Sequence, residues 1–249
     1  MIKLLSLLLL SFNGFSQNHK SPEYIPVGTQ KVYDIEIIVF AYDTPLPNAQ
    51  TYGNKPVFDA SLAFELDFKP DDMLPTKKAK VQDDNGQYTI DIDGKDDSVL
   101  VLAWFEHDAS KFQLNSVWDK LQNNQKTIPL IHRAWRQPET KFETPEFIKI
   151  SSILETENTD EDNNNATYPN NTILGQVALS KGRYLHFSNQ LNFIRNQNTL
   201  NEESDDFRDF VFSITEREQV KSGELHYFDN PWFGVLVKIT QYTGEEADE

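Results

Sequence analysis

The run IPLIHRAWRQP, residues 128–138, sets a histidine, two arginines, a tryptophan and a glutamine within the short stretch from 132 to 137. Arginine forks grip carboxylates with two parallel hydrogen bonds and stack on rings. An indole offers its face to a sugar or to a protein core. Ile128, Leu130 and Ile131 lead into the run and Pro138 closes it, so it reads as a strand. Side chains alternate along a strand. One face then carries Leu130, His132, Ala134 and Arg136; the other carries Ile131, Arg133, Trp135 and Gln137. Neither is wholly apolar, so one face is expected to meet a ligand, a partner or another polar strand. Arg133, Trp135 and Gln137 are the first choice for a ligand surface, and the face with His132 and Arg136 is the second.

The pattern has echoes. GRYLHF (182–187) and ELHYF (224–228) each place a histidine after leucine among aromatics. Arg183 is expected to join Arg133, because Arg183 and Tyr184 point to opposite sides of their strand and the charge is the costlier group to bury. His132, His186 and His226 all fall in expected strands and would form a polar row if those strands were neighbours. All the arginines lie between Arg133 and Arg217, and Arg208 and Arg217 read as salt-bridge partners for the acidic surface. The competing expectation for the whole set is structural: Trp135 plugs the core and the arginines pair with Asp and Glu.

Other chemistries find little support. The three strand histidines lack zinc-ligand spacing, with no HxH or HExxH. There is no cysteine, no GxSxG elbow and no glycine loop for phosphate. With 39 acidic residues, a pair suited to glycoside hydrolysis arises by chance and identifies nothing. The expectation is a non-catalytic protein without a cofactor or metal. A formal charge of −16 argues against nucleic acid and anionic lipid as partners.

These residues need a frame. The first 16 residues, a lysine followed by leucines and then small residues, read as a secretory signal peptide. No cysteine is present to carry a lipid anchor. Residues 17–30 are polar with Pro22, Pro26 and Gly28, and read as a linker. In KVYDIEIIVFAY, Tyr33, Ile35, Ile37 and Val39 make one apolar face against Val32, Asp34, Glu36, Ile38 and Phe40, which predicts a strand with one side in the core. Prolines at 45, 47, 56, 70 and 75 predict a loop-rich excursion over 43–98 with small helical turns. ASKFQLNSVWDKLQNN (109–124) has helical spacing, with Phe112, Val117, Trp118 and Leu121 near one face and Ser110 as cap. Residues 155–171 are acidic and asparagine-rich, a surface loop without the spaced ligands of a calcium site. Lys-Gly and Ser-Gly turns predict two hairpins, over 175–194 and 210–229, and GVLVKITQY a final strand before the acidic tail 243–249. The sum is a single α+β domain over 31–242: a mostly antiparallel twisted sheet of about seven strands with one main helix.

Four motifs occur in order: YDIEIIVF, PLIHRAWRQP, GRYLHF and HYFDNPWFGVLVKIT. Together they resemble the CsiV family of peptidoglycan-binding proteins of Gram-negative bacteria. The resemblance is specific in the central and carboxy-terminal motifs and loose over 43–98 and the acidic loop. It implies a periplasmic protein that binds peptidoglycan and supports cell-wall synthesis with the outer-membrane lipoprotein activator of a class A penicillin-binding protein. The alternative is a periplasmic protein–protein adaptor without glycan affinity. The resemblance supplies no site residues, so the ligand surface rests on residue chemistry alone. Aromatic rings suit sugar faces, and arginines and histidines suit the carboxylates of stem peptides and muramyl groups.

Overall fold

The computed structural model describes residues 18–26, 30–46, 63–69, 73, 76–78, 80–82, 88–90, 99–153, 169–196 and 209–243. The expected signal peptide, most of the 43–98 excursion, nearly all of the acidic loop and the tail beyond residue 243 lie outside them. The strands run in chain order from β1 (His19–Lys20) and β2 (Glu23–Pro26) to the long β3 (Val32–Tyr42). Short strands follow: β4 (Glu65–Leu66), β5 (Thr76–Lys78), β6 (Lys80–Gln82), β7 (Tyr88–Ile90), β8 (Val99–Ala103) and β9 (Phe105–Glu106). Helix α1 (Asn115–Gln122) precedes β10 (Thr127–Pro138), β11 (Thr140–Lys141) and β12 (Ile148–Ser151). The carboxy-terminal part holds β13 (Thr172–Lys181), β14 (Leu185–Asn196), β15 (Asp209–Val220), β16 (Leu225–Asn230) and β17 (Phe233–Gln241).

Two sheets dominate. The first has the order β16-β17-β3-β10-β9, antiparallel throughout. The second has the order β11-β13-β14-β15, with β12 also paired to β13. The odd residues of β3, Tyr33 to Ala41, are buried in a cluster with Val235, Val237 and Ile239 of β17, Trp135 of β10, and Phe187, Leu191 and Phe193 of β14. That cluster is the interior between the sheets. Each fully buried aliphatic or aromatic side chain contributes roughly 1.5–3 kcal/mol relative to exposure, so this layer is the main cohesive term. Even residues of β3 face the opposite way, where Ile38 and Phe40 pack with Leu114, Val117, Trp118 and Leu121 of the helical segment. The layers are therefore helix, sheet, sheet.

The α+β expectation holds in outline, but the protein is richer in strands than about seven, and they form more than one sheet. The amphipathic β3 and β17 and the helix fall where the hydrophobic pattern put them. The segment expected to be a linker contains β1 and β2, which pair with β4 and β8. Their backbone groups find partners in β4, within the excursion, and β8, just after it; the described parts of the excursion hold short strands and no helical turn. The Lys-Gly turn does join a hairpin, β13 to β14. The Ser-Gly turn does not: β15 pairs with β14, β16 pairs with β17, and residues 221–224 carry the chain from one sheet to the other. Gly223 makes that passage at φ 86, a left-handed value that glycine adopts without a Cβ clash. Gly175 serves close strand approach: a Cβ there would lie 2.2 Å from the Gln190 carbonyl oxygen.

Candidate functional site

Cross-strand register turns three polar half-strands into a grid on the helix side of the first sheet. Arg136, Asp34 and Thr240 share one row. Ala134, Glu36 and Lys238 share the next, and His132, Ile38 and Leu236 the third. A bulge in β10 between Pro129 and Ile131 sets this phase, so that Leu130 drops out of the alternation. Helix α1 is only eight residues long and covers the third row. The first two rows lie beyond the helix and line a groove of about 660 Å³. Phe68, Lys69, His107, Lys111 and Tyr242 also line it.

At one end of the floor, Asp34 holds two cationic-type partners. Arg136 donates from Nε to Oδ1 at 2.7 Å and from Nη2 to Oδ2 at 3.1 Å. His107 Nε2 lies 2.8 Å from Oδ1. The Arg136 guanidinium is also stacked 3.4 Å from the centre of the Tyr242 ring. Burial acts to raise the Asp34 pKa, but hydrogen bonds from His107 and Arg136, with the charges behind them, outweigh it and hold the carboxyl below its ordinary 3.8. A group with a depressed folded pKa releases its proton more readily in the native state. Its stabilisation is therefore full above the unfolded value and disappears as pH falls through the folded one. Asp34→Asn is expected to cost about 2–3 kcal/mol at pH 7, the scale of charge-assisted bonds to a mostly buried partner. Denaturant titrations from pH 7 down to pH 3 should show the gap to wild type narrowing at the acid end; a constant gap would count against the ion-paired carboxylate.

At the helix end, Glu36 is 5% exposed and all its bonds are internal. Its Oε2 accepts from the Gln113 amide at 2.8 Å, and Oε1 accepts from the Leu114 amide at 2.8 Å and faces His132 Nε2 at 2.7 Å. The His132 ring lies between Phe112 and Trp118, with ring centres 4.5 and 5.1 Å away. Ser110 is not the helix cap. Its amide donates to the Asp108 carboxylate in a 3-10 turn over Ala109–Lys111, while Leu114 at the α1 start makes no side-chain cap bond.

The ligand face expected from the sequence is placed differently. Arg133, Trp135 and Gln137 do share one side of β10, but that side is the sandwich interior. Trp135 is 1% exposed and donates from Nε1 to Gln137 Oε1 at 2.7 Å. Arg133 donates to the Lys149 carbonyl at 2.9 Å and to the Glu106 carboxylate. Burial pulls the Arg133 guanidinium below its ordinary range, with Glu65 acting against the shift. These internal partners match the structural alternative raised above. Arg136 and His132 lie on the opposite face, as floor and buttress of the groove. Arg183 is exposed in the β13–β14 turn of the second sheet, 5.3 Å from the Tyr184 ring centre, and does not join Arg133.

The histidine row does not form either. His186 on β14 donates to the Tyr184 carbonyl at 2.9 Å, and His226 on β16 bonds the Lys221 main chain at 3.1 Å. Each satisfies its own turn instead of meeting the others. Sequence reasoning missed Asp34, Glu36, His107 and Lys238 as site residues. The legible signal was there for two of them, since acids alternate with a fully apolar face in YDIEIIVF.

The family model for CsiV, peptidoglycan-binding proteins, matches residues 3–242. The chain belongs to the CsiV family. No curated protein and no solved structure matches it. Three of the four motifs that carry the CsiV resemblance build the first sheet: YDIEIIVF is in β3, PLIHRAWRQP in β10, and HYFDNPWFGVLVKIT spans the β16–β17 hairpin. The CsiV motifs and the groove thus share the same three central strands.

Proposed function

We propose that this chain is a non-catalytic peptidoglycan-binding protein of the periplasm. In this reading it supports cell-wall synthesis together with the outer-membrane lipoprotein activator of a class A penicillin-binding protein. The observation that carries the reading is membership of a family described as peptidoglycan-binding, over residues 3–242. The leucine-rich first 16 residues support export. The groove supports a binding role, because it combines an exposed aromatic, Phe68, with polar side chains held in fixed positions by the sheet.

Net charge sharpens the requirement. A chain at −16 is repelled by acidic wall polymers beyond the Debye length of about 8 Å, so binding must come from a local surface that overrides it. We assign that surface to the groove, with Arg136 and its Asp34 partner as floor and His132 as support. Exposed Arg183 is the remaining residue of the ligand face expected from sequence to be measured beside it.

Purified chain is expected to pellet with isolated sacculi, to lose affinity as salt rises, and to leave the muropeptide profile of those sacculi unchanged. New muropeptides would replace the binding reading with an enzymatic one. A chain that stays in the supernatant yet captures the lipoprotein activator would replace it with the adaptor.

A further inference from the structure

The acids of the groove are engaged and its lysines are not. Asp34 is held by Arg136 and His107, Glu36 by two amides and His132, Glu106 by Arg133, and Asp108 by the Ser110 amide. Lys69, Lys111 and Lys238 line the same groove, and among the described residues none of them has an acidic partner. Lys238 sits on the floor beside Glu36, whose two oxygens are already occupied by the Gln113 and Leu114 amides and His132. Lys238 is half-buried as a residue, and among the described residues its ammonium has no hydrogen-bond or ion-pair partner.

Two further polar atoms at the other end of the groove are buried and unpartnered. Arg136 is 4% exposed; its Nε and Nη2 are bonded to Asp34, while Nη1 has no partner among the described residues. The hydroxyl of Tyr242, whose ring lies against that guanidinium, has none either. Buried donors without acceptors are uncommon, and each calls for an acceptor that the described residues do not supply, such as a bound water or a ligand. Where its muramyl carboxyls are bonded to stem peptides, the sugar chain is mostly neutral hydroxyl and calls for no surplus of ammonium groups. A carboxylate does.

We infer that the groove is a subsite for the acidic peptide arms of peptidoglycan, with stem-peptide carboxylates on Lys111 and Lys238 and a peptide oxygen on the Arg136–Tyr242 end. Phe68, 70% exposed beside the groove, offers its ring to the apolar part of the same guest. This rests on the peptidoglycan-binding reading and specifies which part of the polymer is recognised. This assigns recognition to the peptide, with the sugar chain outside the groove.

The test uses the full mature chain with three probes: intact sacculi, glycan strands stripped of their peptides by an amidase, which leaves a carboxylate on each muramyl group, and the free stem peptide the amidase releases. Wild type is expected to bind sacculi and free stem peptide and to leave stripped strands in the supernatant. The double variant Lys111→Gln with Lys238→Gln should bind sacculi and peptide about tenfold more weakly, equivalent to ~1.4 kcal/mol. It should melt like wild type, since neither lysine has an internal ion pair. A control pair, Lys120→Gln with Lys126→Gln, removes the same charge from residues that do not line the groove and should bind as wild type. Stripped strands binding as well as sacculi, or groove variants binding as wild type, would overturn the peptide subsite and leave peptidoglycan binding standing. Wild type that fails to bind sacculi would overturn both.

Discussion

Replacing Trp135 with alanine is expected to lower the melting temperature by about 6–20 °C and to leave sacculus binding per folded molecule unchanged. Trp135 is among the largest fully buried side chains, on the inner face of β10 opposite Ile35 of β3. Truncating a buried aromatic removes its transfer free energy and leaves a cavity, together about 3–5 kcal/mol. For a domain of this size each kcal/mol shifts the melting point by about 2–4 °C. A polar term adds to the apolar one. Gln137 is fully buried, and the indole N–H is the donor to its Oε1. Trp135→Phe keeps most of the packing but strands that oxygen, so it should still cost about 1–3 kcal/mol. A ligand-face role makes the opposite demand, with affinity lost and melting unchanged. Thermal melting and sacculus co-sedimentation on the same preparations separate the two. Loss of binding by a variant that melts like wild type would return Trp135 to the ligand surface.

That result bears on what could be read in advance. In β3 and β17 the apolar alternation was strong, and both the strands and their buried faces followed from it. The polar run of β10 suggests a ligand face only if the sheet has one dry side, which leaves no room for charges on both faces. Here both faces are covered, one by the second sheet and one in part by the helix. The charges on each face meet partners far off in sequence: Arg136 and Asp34 are 102 residues apart, His132 and Glu36 96. Local pattern cannot report such pairs. The bulge at Leu130 is equally silent, since one inserted residue resets which side chains share a face. Turn chemistry has a related limit. A Ser-Gly turn reverses the chain whether the flanking strands pair with each other or with third strands, and at residues 221–224 they do the latter. Lys238 lay in plain sight in a run of valines and isoleucines, but its importance depends on Glu36 being satisfied by other groups, which is a property of the folded grid.

Glu36 offers the sharpest test of that grid. Glu36→Ala is expected to cost about 3–5 kcal/mol, since each buried donor left without its acceptor costs about 1–3 kcal/mol. Three donors lose their acceptor at once: the Gln113 and Leu114 amides and the His132 ring. Since Leu114, at the start of α1, makes no side-chain cap bond, the carboxylate on β3 is what fixes the entry to the helix, and its negative charge also suits that end of the helix dipole. The isosteric Glu36→Gln distinguishes this role from simple volume. Both carboxylate oxygens accept a backbone N–H, so a side-chain amide can satisfy one and must turn its own NH₂ toward the other. Glu36→Gln should therefore lose about half the stability lost by Glu36→Ala or more, despite filling the same space. Helix undocking should be visible in Trp118, which packs on His132 and the sheet below it. A double-mutant cycle with His132→Ala should return a coupling within the 0.5–3 kcal/mol seen for residues in contact, because the histidine has no partner once the carboxylate is gone. Glu36→Gln as stable as wild type would mean that the helix is held by its apolar face alone, and that the open half of the sheet owes nothing to this carboxylate.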